Sequence, residues 1–271
     1  MTLTVADVRS LDDLLGFIAA GGQPKYLFFW GHQAQPDGSV GKGCFSQWWP
    51  AEFTVDGVKY PSAEHFMMRA KALLFGDAEI AALIQAARHP REAKELGRKV
   101  RGFDERRWAQ RRFDFVVAGN VAKFGQNPGL RDFLLGTRDR VLVEASPRDR
   151  VWGIGMGASN EMATSPEHWR GLNLLGFALM QARERFTRLS RHDRLPHRAA
   201  AVIKDGVGAA PLVGHRHRAV AVEGDDDRPP PPASASRVSP RSRRIIHGDG
   251  PWPSWCSRGT GLAPRARGRR W

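Results

Sequence analysis

Glu64 and Lys71 stand seven residues apart in Pro61-Ser62-Ala63-Glu64-His65-Phe66-Met67-Met68-Arg69-Ala70-Lys71-Ala72-Leu73-Leu74-Phe75. A helix of 3.6 residues per turn returns the seventh residue almost to the starting azimuth, roughly 10 Å further along the axis. A carboxyl can transfer a proton, and an amine can attack a carbon or grip a phosphate. Met67 and Met68 fill the stripe between the two, and Phe66, Ala70, Leu73 and Leu74 form an adjoining apolar face at i, i+4, i+7 and i+8. A carboxylate and an amine thus border a surface that favours burial, too far apart for an i,i+4 ion pair. Two readings stand. They line a pocket for a polar ligand, or they are solvated neighbours of a core stripe, as charged residues mostly are.

Asp149 is the next candidate, in Asp149-Arg150-Val151-Trp152-Gly153 after a strand-like run and Ser146-Pro147. A strand-end carboxylate beside an indole suits a base or a ribose clamp; an Asp that caps its own turn is the other reading. Gly153-Ile154-Gly155-Met156-Gly157-Ala158 has the spacing of a dinucleotide fingerprint. That fingerprint needs strand, tight turn and helix within a β-α-β unit. Here Ser159-Asn160 and Pro166 follow in a loop, so a Rossmann site is rejected. Backbone amides of the loop facing a ligand phosphate stay open. His32, His65, His89 and His168 lack metal-ligand spacing, and Cys44 and Cys256 are the only cysteines. Neither a metal site nor a disulfide framework is expected, and no cofactor is called for.

The elements that must position these groups are legible as periodicities. Residues 5–20 carry Leu11, Leu14, Leu15 and Ile18 on one helix face, stopped by Gly21-Gly22. Tyr26 to Trp30 reads as a buried strand, and residues 31–43 as a loop. Phe53-Thr54-Val55 and Val58-Lys59-Tyr60 flank Asp56-Gly57, a hairpin signal. Ser62 is a plausible N-cap for the Glu64 helix. Asp77 caps the next, with Ile80, Leu83 and Ile84; Pro90 opens another. Asp104 to Phe124 is longer, with Trp108, Phe115 and Val116 inward and Arg106, Arg107, Arg111 and Arg112 outward. Asn127-Pro128 opens a helix to Leu135, Val141 to Val143 is a strand, and Gly171 to Phe186 is the last helix. The expected fold class is α+β: one predominantly helical domain around a small β-sheet, over residues 1–186.

The net charge of +14 is unevenly placed: residues 187–271 hold 17 Lys and Arg against 7 Asp and Glu, a net of +10. The first 186 residues are nearly balanced, so an inference of nucleic-acid binding from basicity reaches only the tail. That tail carries Pro229 to Pro232 and long Arg, Gly and Ser stretches with no period of 2 or 3.6. Such composition cannot bury enough apolar surface to offset chain entropy, and a disordered tail over 187–271 is expected. It also reads like a GC-rich gene translated out of frame, which resequencing near codon 187 would test. The first residues lack a signal-peptide pattern and no window has 18 uninterrupted apolar residues, so no membrane association and a cytoplasmic location are expected.

Residues 26–186 resemble the NADAR superfamily, also called YbiA-like proteins. The resemblance rests on blocks in order: Tyr26-Leu27-Phe28-Phe29-Trp30-Gly31, Cys44-Phe45-Ser46-Gln47-Trp48-Trp49, the Ala63-Glu64-His65 helix through Lys71 to Asp77, and His89-Pro90-Arg91-Glu92-Ala93-Lys94-Glu95-Leu96-Gly97-Arg98. Asn120-Val121-Ala122-Lys123-Phe124, Leu134-Leu135-Gly136-Thr137, Val143-Glu144-Ala145-Ser146-Pro147, Asp149-Arg150-Val151-Trp152-Gly153-Ile154-Gly155 and Trp169-Arg170-Gly171-Leu172-Asn173-Leu174-Leu175-Gly176-Phe177 follow. The resemblance implies a YbiA-like fold and an N-glycosidase that cleaves between a base-like nitrogen and C1 of ribose phosphate or ADP-ribose. Two substrate classes fit it: ribosylamino-pyrimidine phosphates that are riboflavin precursors, and ADP-ribosylated guanine. The partners implied are a small nucleotide-like substrate or ADP-ribosylated nucleic acid. The rival reading is a catalytically silent ADP-ribose or nucleotide-binding module.

N-glycoside hydrolysis passes through an oxocarbenium-like state, which carboxylates can stabilise, or through an amine that attacks the sugar carbon and forms a Schiff base. The resemblance places Glu64 as acid/base, Lys71 as nucleophile or phosphate contact, and Asp149 as a third catalytic residue. It also brings in Gly31, Ser46, Trp108, Trp152, Gly153 and Asn173 as substrate contacts. Two readings stay open for several. Asn173 touches ligand or only satisfies backbone groups, and Trp108 is a base platform or core. Phe29, Trp30 and Trp48 are further stacking candidates.

Overall fold

The computed structural model describes residues 4–193, with side chains to Leu189. In chain order it runs through a 3-10 turn at Val5–Asp7, α1 (Leu11–Ala19), β1 (Tyr26–Phe29), a 3-10 turn at Lys42–Phe45, β2 (Phe53–Val55), β3 (Val58–Tyr60) and α2 (Ala63–Leu74). Then come α3 (Ala78–Ala86), α4 (Pro90–Gly97), α5 (Glu105–Gln126), α6 (Pro128–Gly136) and β4 (Val141–Glu144). Two more 3-10 turns at Glu161–Thr164 and Pro166–His168 lead to α7 (Leu174–Asp193). The fold is α+β and mostly helical. Its strands form two separate pairs rather than one sheet.

β1 and β4 are parallel, with Tyr26 opposite Val141 and Phe29 opposite Glu144. All four residues of β4 are buried, which suits a strand covered on both faces. β2 and β3 form the expected hairpin, with Asp56 at φ 50° and Gly57 at φ 75°. Both values are left-handed, as a two-residue turn matched to strand twist requires. α2 packs against α3, α4 and α5, and α5 and β4 pack against α7. The C-terminal ends of β1 and β4 lie side by side, where a loop can hold polar groups without breaking the ladder.

Most caps follow the sequence. Asp77 accepts from the Ile80 N–H at 3.2 Å and Asp104 from the Arg107 N–H at 2.6 Å. Ser62 precedes α2 but does not cap it through its hydroxyl, which meets His65 Nδ1 at 2.7 Å. His65 Nε2 lies 3.2 Å from the Ala87 carbonyl oxygen. A carbonyl only accepts, so Nε2 carries the proton and Nδ1 accepts from Ser62: His65 joins α2 to the end of α3.

Four expectations need correction. The 5–20 helix is a 3-10 turn followed by α1, broken at Val8 to Ser10. Leu73 does not join the buried face of α2; it is 47% exposed, and the buried stripe is instead widened by Glu64, His65 and Lys71. The last helix begins at Leu174, not Gly171, because Asn173 has φ 51° and stands outside the helical region. It also continues past residue 186 to Asp193. The remainder of the expected tail, with Pro229 to Pro232 and Cys256, lies outside the described residues. No helix among the described residues is long and apolar enough to cross a membrane.

Candidate active site

α2 opens directly beneath the segment that follows the Lys42–Phe45 turn: the Glu64 N–H donates to the Gln47 carbonyl at 3.0 Å. This fixes the first turn of α2 beside Ser46, Gln47 and Trp48, all buried. The Glu64 side chain is 2% exposed, and its Oε1 has no hydrogen-bond partner. Burial pushes its carboxyl up to about 7; the charge of Asp149 raises it too, while Lys94, the Trp48 indole and Arg98 pull the other way. The solvated reading of Glu64 is excluded.

Asp149 comes to the same place from the loop after β4. It is 2% exposed, and its Oδ1 accepts from the N–H groups of Val151 at 2.9 Å and Trp152 at 2.8 Å. It therefore does cap its own turn, and its charge still acts on Glu64.

Glu144 completes the cluster. It ends β4, is 7% exposed, and its Oε2 has no partner. Burial pushes its carboxyl up to about 8, helped by Asp149 and Glu64 and opposed by Lys94. Burial first, and the neighbouring acidic charges second, thus hold both Glu64 and Glu144 above the ordinary carboxylate range. Sequence reasoning quoted Glu144, Lys94 and Arg98 within motifs but gave them no role. The available signal was an acidic residue closing an otherwise apolar strand.

Lys71 is buried as well, at 4% exposure, at the other end of α2. Its Nζ donates to the Gly97 carbonyl at 2.8 Å and sits 4.0 Å from the Phe103 ring centre and 5.9 Å from that of Trp108. Burial lowers its amine to about 8, with Arg98 adding to the drop and Glu105 opposing it. The charge of Arg98, the residue after α4, acts on both Glu64 and Lys71.

The other expected contacts divide. Gly31, at φ 79°, turns the chain just past β1, and Trp30 beside it is 63% exposed. Trp48 lies against Glu64, and its ring meets His89 at 5.8 Å and His32 at 5.7 Å. Trp108 stacks on Phe115 in the core beside Lys71. Phe29 is buried against Phe45. The Ser46 hydroxyl oxygen accepts from the Trp48 N–H at 3.1 Å, which leaves its O–H to donate elsewhere. Asn173 is fully buried and divides its amide between the Glu144 N–H and the Leu142 carbonyl, each at 2.9 Å. Of its two readings, the backbone one accounts for both ends of that amide. Gly153 donates no side chain but admits the backbone: a Cβ there would meet the Glu144 backbone carbonyl oxygen at 2.7 Å. Trp152 is half-buried, tied to Asp149 through its N–H.

Lys123 holds the loop in place. Fully buried on α5, its Nζ donates to the carbonyls of Cys44 at 2.7 Å and Ser46 at 2.8 Å. Burial lowers its amine to about 7. Among the described residues no cluster of His, Cys, Asp and Glu has the arrangement of a metal site.

The family model described as NADAR domain matches residues 28–187. N-glycosidase R617 of Acanthamoeba polyphaga mimivirus is 43% identical over 165 residues, covering 59% of this chain and 95% of that protein. Riboflavin biosynthesis protein PYRR, chloroplastic, of Zea mays is 31% identical over 153 residues, covering 52% of this chain and 23% of that protein. The solved NMR structure of the E. coli protein YbiA matches with a TM-score of 0.50 and 27% identity, covering 66% of this chain and 92% of that one.

Proposed function

This chain belongs to the NADAR domain family, and on that premise we propose that it hydrolyses an N-glycosyl bond between a base-like nitrogen and C1 of a ribose phosphate or ADP-ribose. The observation that carries the reading is Glu64: a carboxyl 2% exposed, with an oxygen lacking any partner, set among other buried carboxyls. Native cores seldom leave buried polar atoms unbonded, and those that remain point to a ligand or a catalytic task. A group with pKa near 7 is suited to give and take protons at neutral pH. The relative named N-glycosidase R617 supports the reaction class. The maize relative's name, riboflavin biosynthesis protein, supports ribosylamino-pyrimidine phosphates as one substrate class, with ADP-ribosylated guanine as the other.

In this reading Lys71, desolvated and close to neutral, attacks C1 as the bond to the base nitrogen breaks. Glu64 gives its proton to the departing nitrogen. The ring opens to a Schiff base on Nζ, which water hydrolyses to free the sugar and restore the amine. The test is product analysis of the full chain with both substrate classes. Release of free base and sugar phosphate from either supports the reading. Tight binding of both without cleavage makes the protein a silent nucleotide-binding module, and absence of binding and cleavage removes the proposal.

A further inference from the structure

We propose that Glu144 is a substrate-binding residue whose buried carboxyl hydrogen-bonds the ribose 2-hydroxyl beside Asp149. The proposal rests on the N-glycoside reading for the presence of a ribose and deepens it by assigning sugar selection.

The backbone of Glu144 is held on three sides. It pairs with Phe29, its N–H donates to Asn173 Oδ1 at 2.9 Å, and its carbonyl accepts from the Ile154 N–H at 2.9 Å. The carboxyl therefore projects from a fixed point at the end of β4. Packing alone would favour an apolar residue here, after Val141, Leu142 and Val143. A buried polar atom left unbonded costs about 1–3 kcal/mol, yet Oε2 has no partner. A ligand group is the partner that would offset this.

The charges that face Glu144 decide which partner fits. Asp149 comes from the following loop, Glu64 from α2 and Lys94 from α4. β1 brings Phe29 and the segment just before α7 brings Asn173, both uncharged. Burial above all, with two acids against one amine, raises the Glu144 carboxyl to about 8. A neutral carboxyl has one O–H to give, whereas a carboxylate only accepts. Asp149 uses one oxygen on its own turn. A vicinal diol, whose hydroxyls both donate and accept, matches one donor beside one acceptor. The charge of Glu64 acts on Glu144, and with Glu64 assigned to the departing nitrogen, the hydroxyl on the carbon next to C1 is the one this proposal gives to Glu144.

The experiment measures binding of ribose 5-phosphate and 2-deoxyribose 5-phosphate to the full chain by calorimetry at pH 7 and pH 9. Wild type is expected to prefer ribose roughly tenfold at pH 7, the worth of one good hydrogen bond. At pH 9 Glu144 ionises and the preference falls below about threefold. Changes in phosphate binding from lysine titration affect both sugars and cancel in the ratio. Glu144→Gln keeps a donor and cannot titrate, so it retains the preference at both pH values; Glu144→Ala loses it at both. The proposal is overturned if wild type cleaves its substrate but shows no preference, or if Glu144→Ala with a cooperative melt keeps it. If the Ala variant does not fold, the Gln variant and the pH 9 arm decide. A wild type that binds neither sugar and cleaves nothing removes the N-glycoside reading instead.

Discussion

The two ends of α2 carry opposite charges and respond to burial in opposite directions. Glu64 in the first turn is pushed up to about 7, and Lys71 in the last is brought down to about 8. Had the two formed an ion pair, the acid would fall and the amine would rise. Desolvation instead drives both toward their neutral forms, and the partners at each end differ in kind. The acid end gathers further carboxyls and leaves oxygens unbonded, whereas the amine end rests on a carbonyl and aromatic faces. The difference teaches that α2 is not stabilised by its charges. It holds an acid and a base at nearly matched proton affinity, an arrangement costly for stability and useful for proton transfer.

Removing the amine should break this balance most severely. Lys71→Met keeps the apolar stem against Phe103 and Trp108 and deletes the nucleophile. Turnover is expected to fall by roughly 10⁴ or more, as for loss of other covalent nucleophiles. Borohydride added to wild type during turnover should trap the sugar on Lys71. Lost turnover without an adduct would reduce Lys71 to a phosphate contact, and near-normal turnover of the Met variant would end its catalytic role.

Changing the acid should cost somewhat less. Glu64→Gln keeps shape but cannot titrate, and turnover should fall roughly 10²–10⁴. The melting temperature should hold or rise, because a buried titrating carboxyl has been replaced by a neutral amide. A raised KM with unchanged kcat would mean that Glu64 binds ground and transition states alike. Activity near wild type would leave the acid end without a function.

Much of this arrangement was legible in sequence because it is local. The Glu64–Lys71 spacing, the Asp56-Gly57 turn and the Asp77 and Asp104 caps depend on neighbours a few residues away, and each element forms as expected. What sequence could not give is which distant groups share an interior. Glu144 meets Glu64 only because β4 lies beside β1 and α2 is pinned under Gln47. Lys123 looked like one more helix lysine until its two carbonyl partners, 77 and 79 residues away, came into view. Asn173 was ambiguous for the same reason: both its partners belong to a strand about 30 residues upstream. Leu73 failed in the other direction. An i+7 position stayed exposed because the buried stripe of α2 runs instead through Glu64, Met67, Met68, Lys71 and Ala72.

The smallest expected effect concerns stability and tests whether the acids carry protons in the folded state. Glu64 and Glu144 have folded values near 7 and 8 against an ordinary 4.5, so folding favours their protonated forms. The stability they contribute is fully present below about pH 4.5 and is lost as pH rises through 7 to 8. Buried lysines work the other way: Lys71 and Lys123, lowered to about 8 and about 7, favour folding at high pH and lose that contribution as pH falls toward those values. His65, lowered by burial, likewise favours the folded state above its ordinary 6.5 and opposes it below. The acids and bases therefore pull against each other across neutrality, and the wild-type melting temperature should vary little with pH between 6.5 and 8. Glu64→Gln with Glu144→Gln removes only the acid contribution. The double variant should then lose melting temperature as pH is lowered from 8 to 6.5, by a few degrees on the usual scale of about 2–4 °C per kcal/mol. If the double variant instead tracks wild type over that range, the two carboxyls do not hold their protons near neutrality, and the acid end of α2 is an ordinary set of ionised carboxylates.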